Sequence, residues 1–191
     1  MRKLQGIIIV NAIVLGLFGI AAVLQQNIEF LYYLLVIFVL ASLIVATHKN
    51  ARYPQLLLWG VSVWGWMHMA GGVVPVGNSV LYDAILISIL GDPLHVLRYD
   101  QVVHVFGTFL VTMVSWYVLR KHFSAPALTV AITVGLVGLG LASINEVIEL
   151  LAVLFIEQTY VGDYFNMALD LTANLVGAII ASIVVFQREN K

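Results

Sequence analysis

The 191-residue chain is 62% hydrophobic and only 10% charged, with a formal net charge of −1 and a mean hydropathy of +1.02. Soluble domains run about 45–50% apolar and about 25% charged, so a soluble fold is excluded for want of polar surface, and so is a basic face for nucleic acid. Cysteine is absent, which removes disulfides, thiolate metal sites and cysteine nucleophiles. A bilayer core about 30 Å thick takes about 20 apolar helical residues to cross. Polar punctuation divides the chain into six such spans, at residues 6–24, 30–47, 55–74, 101–119, 127–154 and 167–186. The predicted class is all-α: a polytopic membrane helical bundle forming a single integral membrane domain over residues 1–191.

The start, Met1-Arg2-Lys3, is charged like that of a signal peptide. Its apolar run is longer than a usual h-region and has no A-x-A site, so it reads as a retained anchor. The long segment between the third and fourth spans, residues 75–99, contains an apolar stretch at 79–90 that is too short to span. A re-entrant or interfacial helix is predicted there. In the fifth span, Gly135, Gly138, Gly140, Ala142 and Ser143 predict close helix packing.

Basic residues set the orientation. Arg2, Lys3, Lys49, Arg52, Arg120, Lys121, Arg188 and Lys191 collect at one end of the spans, and Arg98 alone falls at the other. The positive-inside rule then puts both termini in the cytoplasm. Of the ten acidic residues, only Glu189 lies on that inner side. Glu29, Asp92 and Glu157 read as solvated loop residues. The others are Asp83, Asp100, Glu146, Glu149, Asp163 and Asp170, and several of them reach one depth.

That depth follows from a rise of about 1.5 Å per residue. His68 sits in the outer third of the third span. Asp100 opens the fourth span, with His104 one turn below. Glu146 and Glu149 lie near the outer end of the fifth. Asp170 is in the first turn of the sixth, with Asn174 one turn deeper. Asp100/His104 and Asp170/Asn174 are spaced i, i+4 and Glu146/Glu149 i, i+3, so each pair occupies one helix face. Ionisable groups inside a membrane are costly and face a cavity or the bundle interior. Carboxylates gathered in low dielectric must hold protons, pair with bases or bind a cation. Facing helices build metal sites from carboxylate and His ligands in this manner. The predicted metal ligands are therefore His68, Asp100, His104, Glu146, Glu149 and Asp170. Glu146 and Glu149 are candidate catalytic bases, and Asp163 and Asn174 are supporting groups that orient ligands. The ion is divalent: zinc first, with manganese or iron on the His-containing set and magnesium or calcium on carboxylates alone. No organic cofactor is implied.

Each of these residues also has a plain reading. Alone, His68 reads as an interfacial histidine beside Trp64 and Trp66. His104 with Asp100 reads as a packing pair, Asp163 as a turn or N-cap residue, and the glutamates as solvated. Shared depth is what joins them. His95 is in the outer loop, and His48 and His122 lie in inner basic loops; none is assigned a role. Neither H-E-x-x-H nor G-x-S-x-G occurs, so zincin and serine-hydrolase chemistry are not supported.

Tyr99-Asp100-x-x-x-His104-x-x-Gly107, Glu146-x-x-Glu149, and Gly162-Asp163 followed by Asp170-x-x-x-Asn174-x-x-Gly177, with His68-Met69-Ala70-Gly71-Gly72 before them, resemble the YjdF-type bacterial inner-membrane family. The related VanZ-like family is similar in its Asp–His, Glu and Asp–Asn–Gly order. The resemblance spans residues 64–181. It departs at Leu150, where YjdF-type members often carry tryptophan near the paired glutamates, and at Val161, where they carry Gln before Gly-Asp. It implies a bacterial or archaeal cytoplasmic-membrane protein of the cell envelope, with VanZ-like members tied to glycopeptide resistance. The expected partners are membrane lipids and a lipid-linked substrate. The leading functional class is metal-assisted hydrolysis or transfer on that lipid-linked substrate, and two others stay open at this point: a non-enzymatic protein that binds a lipid headgroup or other ligand, and a cation or proton pathway.

Overall fold

The computed structural model describes residues 2–88, 97–122 and 124–191, with side chains from residue 4 onward. Among these, six α-helices account for most of the chain: α1 (Arg2–Leu24), α2 (Ile28–Ala51), α3 (Gln55–Val73), α4 (Tyr99–Leu119), α5 (Ala127–Phe155) and α6 (Tyr164–Glu189). Five of them, all but α3, are long and apolar enough to cross a membrane. The protein is a multi-pass, all-α membrane bundle. The 19 residues of α3 span about 28 Å, but Gly, Trp and His dilute its hydropathy.

Local chemistry sets the helix ends. The Asn27 side chain accepts from Phe30 N at 3.1 Å and so caps α2. Its amide also donates to Gly72 O at 3.1 Å, tying the α2 start to the α3 end. Arg52 closes α2 in the left-handed region at φ 55°, and Pro54 opens α3, where its missing N–H costs nothing. Asn27→Ala removes both the cap and the tie. We expect about 1–2 kcal/mol of destabilisation, read as a lowered Tm in detergent micelles.

Helices α4, α5 and α6 pack most closely on one another, with α1 and α2 against α3. The tight spots are glycines. A Cβ at Gly138 would strike Thr112, one at Gly135 would strike the Ser182 hydroxyl, and one at Gly177 would strike the backbone oxygen of Val105. The expectation of small-residue packing in α5 therefore holds at Gly135, Gly138 and buried Ala142. It fails at Gly140, which has nothing within 4 Å, and at Ser143, which is exposed and bonds only to Leu139 O of its own helix.

The core has two parts. One, near the chain termini, packs Leu57, Leu110, Met113, Trp116, Val134 and Val185. The other, toward the opposite end, packs Phe30, Tyr33, Met69, Val73, Tyr82 and Val103. Exposed apolar residues such as Leu17, Phe38, Leu136 and Ile183 cover the outside, as a lipid-facing surface requires.

The helix predicted at 79–90 is not what the described part of that stretch forms. Strands β1 (Pro75–Val76) and β2 (Ser79–Val80) pair antiparallel, a 3₁₀ turn follows at Leu81–Asp83, and β3 (Ile85–Ile87) pairs with β4 (Leu97–Arg98). The two-residue Gly77-Asn78 loop, with Gly77 at φ 59°, folds Ser79–Val80 back onto Pro75–Val76 and so takes the start of the stretch into a hairpin. Residues 89–96, with Asp92 and His95, lie outside the described residues.

Candidate metal and ligand site

At the end of the bundle opposite the termini, α4, α5 and α6 turn polar faces toward one another. Asp163 starts α6 by accepting from Asn166 N at 3.0 Å, and Gln101 starts α4 by accepting from Arg98 N at 2.7 Å. These caps fix where Asp100, His104, Asp170 and Asn174 emerge.

His104 is at the centre. Its Nδ1 lies 3.3 Å from Glu146 Oε1 and 3.3 Å from Asn174 Oδ1. Its Nε2 lies 3.4 Å from Asp100 Oδ1 and 3.7 Å from Glu149 Oε1. The Asn174 amide is oriented by its neighbours: Nδ2 donates to Glu146 Oε1 at 2.8 Å, and Oδ1 accepts from Thr108 Oγ1 at 2.6 Å. Both partners of Nδ1 are thus acceptors, so Nδ1 carries hydrogen. Nε2 then faces carboxylate oxygens only. Something positive must sit between them: a proton on the ring or on a facing carboxylate, or a shared cation.

Asp170, 1% exposed, is held by two amides. Gln101 Nε2 donates to its Oδ1 at 2.8 Å and Asn166 Nδ2 to its Oδ2 at 2.7 Å. Asn166 Nδ2 also reaches Asp100 Oδ2 at 2.9 Å, and its Oδ1 accepts from Arg98 Nη1 at 3.5 Å. On α5, Asn145 Nδ2 steadies Glu149 Oε1 at 2.7 Å. Two ligand sets result: Asp100, His104 and Asp170, and Glu146, Glu149 and Asp170. Within each set the ligand atoms lie within 4.8 Å of one another. Asp170 belongs to both.

His68 belongs to neither set, yet it lines the same small cavity of about 20 Å³ as Asp100, Glu149 and Asn166. That is room for one water or one ion. Its ring is boxed by Tyr33 at 5.1 Å, Trp64 at 5.6 Å, Tyr82 at 5.7 Å and Phe30 at 6.0 Å between centroids. Gly71 and Gly72 make the box possible, since a Cβ at either would overlap Tyr82 or Phe30. Tyr82 Oη lies 2.6 Å from His68 Nδ1. Burial pushes the Tyr82 hydroxyl well above its ordinary pKa, so it is a neutral phenol. With Nδ1 engaged, Nε2 is the nitrogen left for a ligand.

The structure thus gathers Asp100, His104, Glu146, Glu149, Asp170 and Asn174 into one network, with His68 across the cavity. It leaves Asp163 exposed, as a cap acting only through the Asn166 backbone. Asp83 is exposed and takes a hydrogen bond from Ser79, outside the cavity.

Glu29 corrects the reading from sequence. It is 2% exposed rather than solvated. Its carboxylate accepts from Tyr160 N at 2.7 Å, holding the connection between α5 and α6 over the cavity. Asn166 and Gln101 were also missed. Asn166 is one turn before Asp170 on the face that carries Asn174, so the i, i+4 repeat extended backwards points to it.

Beyond Tyr160, which lines both spaces, a groove of about 830 Å³ with mixed polar and apolar walls opens between the α1–α2 corner, the first hairpin and the α5–α6 connection. Its lining includes Gln26, Asn78, Gln158 and Thr159 beside Ile28 and Phe155.

No curated protein and no solved structure matches the chain. Residues 4–191 match the family described as Predicted membrane protein (DUF2238). With nearly its whole length covered by that match, the chain belongs to the DUF2238 family of membrane proteins.

Proposed function

We propose that this protein binds one divalent metal ion in the cluster of α4, α5 and α6 and acts on the polar headgroup of a lipid-linked cell-envelope substrate by metal-assisted hydrolysis or group transfer. The observation that carries the reading is His104. Its Nδ1–H is committed to Glu146 and Asn174, and its Nε2 is turned on carboxylates. A metal-ligating histidine is held in this manner, with one nitrogen on the ion and the other donating to a carboxylate or carbonyl.

Asp100, His104 and Asp170 would hold the ion. A bound divalent ion supplies Lewis acidity toward a phosphoryl or carbonyl oxygen. Glu149, steadied by Asn145 and bordering the small cavity, is placed to take a proton from a nucleophile. Glu146 orients His104. Histidine with carboxylates and no sulfur favours zinc, then manganese or iron. The adjoining groove admits a headgroup from the membrane face, and the exposed Ile28 and Phe155 at its edge suit the attached lipid.

In this reading α3 is a sixth span, the termini are cytoplasmic, and the cluster faces the far side of a bacterial or archaeal inner membrane, in the manner of YjdF-type and VanZ-like proteins. A second reading, headgroup binding without turnover, draws on the size of the groove. It predicts saturable binding with no product. A cation pathway has less support, because below His104 the buried α4 face offers only Thr108, Thr112 and Ser115, with Gly138 closed against Thr112.

The test is metal content after chelation and reloading with zinc. Wild type should retain about one ion per chain, and Asp100→Ala/Glu146→Ala essentially none. Asn174→Ala should weaken retention about 10–100-fold. Equal, negligible metal in wild type and double variant would sink the metal reading.

A further inference from the structure

At the opposite end of the bundle, two arginines from different helices share one aromatic platform. The Arg120 guanidinium, just past the end of α4, lies 5.1 Å from the Trp116 ring centroid and 4.4 Å from that of Tyr117. Arg188, in the last turn of α6, lies 5.6 Å from the same Trp116 ring, and its Nη1 donates to Tyr117 Oη at 3.3 Å. Two guanidiniums stacked on one indole set a paired cationic edge at the ends of α4 and α6.

Glu189, next to Arg188 in sequence, is engaged by the indole instead: its Oε1 accepts from Trp116 Nε1 at 2.6 Å. Among the described residues, neither guanidinium comes within ion-pair distance of a carboxylate. Lys121 is directed elsewhere, onto Asn50 O. Both arginines are exposed, while Trp116 and Tyr117 beneath them are buried. The Arg120 guanidinium spends its face on the rings and keeps its N–H edge for an oxyanion, a fork that fits phosphate bidentately, while Arg188, with Nη1 given to Tyr117, has Nη2 and Nε to add.

The site's position selects the source of that phosphate. It lies where the apolar α4 and α6 end, at headgroup level, with aromatic residues of the kind that mark a membrane interface. We infer that Trp116, Tyr117, Arg120 and Arg188 form a binding site for the phosphate of an anionic phospholipid, clamped between the ends of α4 and α6. The site is independent of the metal cluster, which lies at the other end of both helices.

The experiment uses the full chain in neutral detergent micelles, where no surface potential attracts lipid in general. Phosphatidylglycerol is titrated against phosphatidylcholine, and Tm is read. Phosphatidylglycerol alone should raise Tm saturably. Arg120→Gln/Arg188→Gln should weaken its apparent affinity about tenfold or more, as expected for losing two basic contacts. Lys49→Gln/Arg52→Gln, which removes equal charge at the same end, should stay within about twofold. Equal weakening in both double variants would reduce the effect to general attraction and overturn the site. An equal shift with inorganic phosphate would overturn the lipid assignment. No phosphatidylglycerol effect on wild type would overturn both.

Discussion

His104→Ala is expected to be the most damaging single substitution in the polar end of the bundle, at about 3–5 kcal/mol of lost stability. The ring lies within 3.4 Å of Asp100, 3.3 Å of Glu146 and 3.7 Å of Glu149. Removing it leaves these carboxylates facing one another with no base among them, and it takes from Asn174 and Glu146 the donor on Nδ1. Uncompensated charge in a low-dielectric interior costs more than the lost packing. Unfolding in detergent at neutral pH measures the loss. Adding Glu149→Gln to His104→Ala removes one of the opposed charges and should recover part of it. A loss below about 1 kcal/mol, of the size of a surface pair, would mean that the cluster is solvated and does not depend on its histidine.

Gly177→Val is expected to have the next largest effect, through the backbone rather than charge. A Cβ at Gly177 would strike the carbonyl oxygen of Val105 and come within 3.1 Å of Phe109 N and of Thr108 Cβ. Backbone cannot swing aside as a side chain can, so α4 and α6 must separate. Overpacking of this kind costs about 1–3 kcal/mol. Separation would also stretch the 2.6 Å bond from Thr108 to Asn174, one turn from Gly177, so zinc retention should fall together with Tm. Gly140→Val is the control. It has nothing within 4 Å, and we expect a change within about 0.5 kcal/mol. Equal Tm values for the two variants would show that the α4–α6 approach is not close.

How much of this was legible beforehand divides along the range of the interaction. The helices were legible because bilayer thickness and helix rise fix span length, and the predicted bounds fall within a few residues of those of all six helices. The pairing of Asp100 with His104, of Glu146 with Glu149, and of Asp170 with Asn174 was legible because helical spacing alone puts each pair on one face. The hairpin at Pro75–Val80 was readable in principle from Gly77-Asn78, but apolar length outweighed turn chemistry in the reading. Of the box around His68 only Trp64, one turn away on α3, was readable, since the other rings come from α2 and the 3₁₀ turn. The burial of Glu29 was not readable, since its surroundings are made by residues far along the chain.

The bond between Glu29 and Tyr160 joins positions 131 residues apart. The first two helices carry no recognisable motif, yet α2 supplies Glu29 and Tyr33 to the cavity wall. Because the N-terminal part of a chain is made first, this wall stands ready long before the stretch that closes it leaves the ribosome. Biogenesis should therefore pass through a partly inserted form whose acidic chamber is still open, and a chain halted before residue 160 would leave it so.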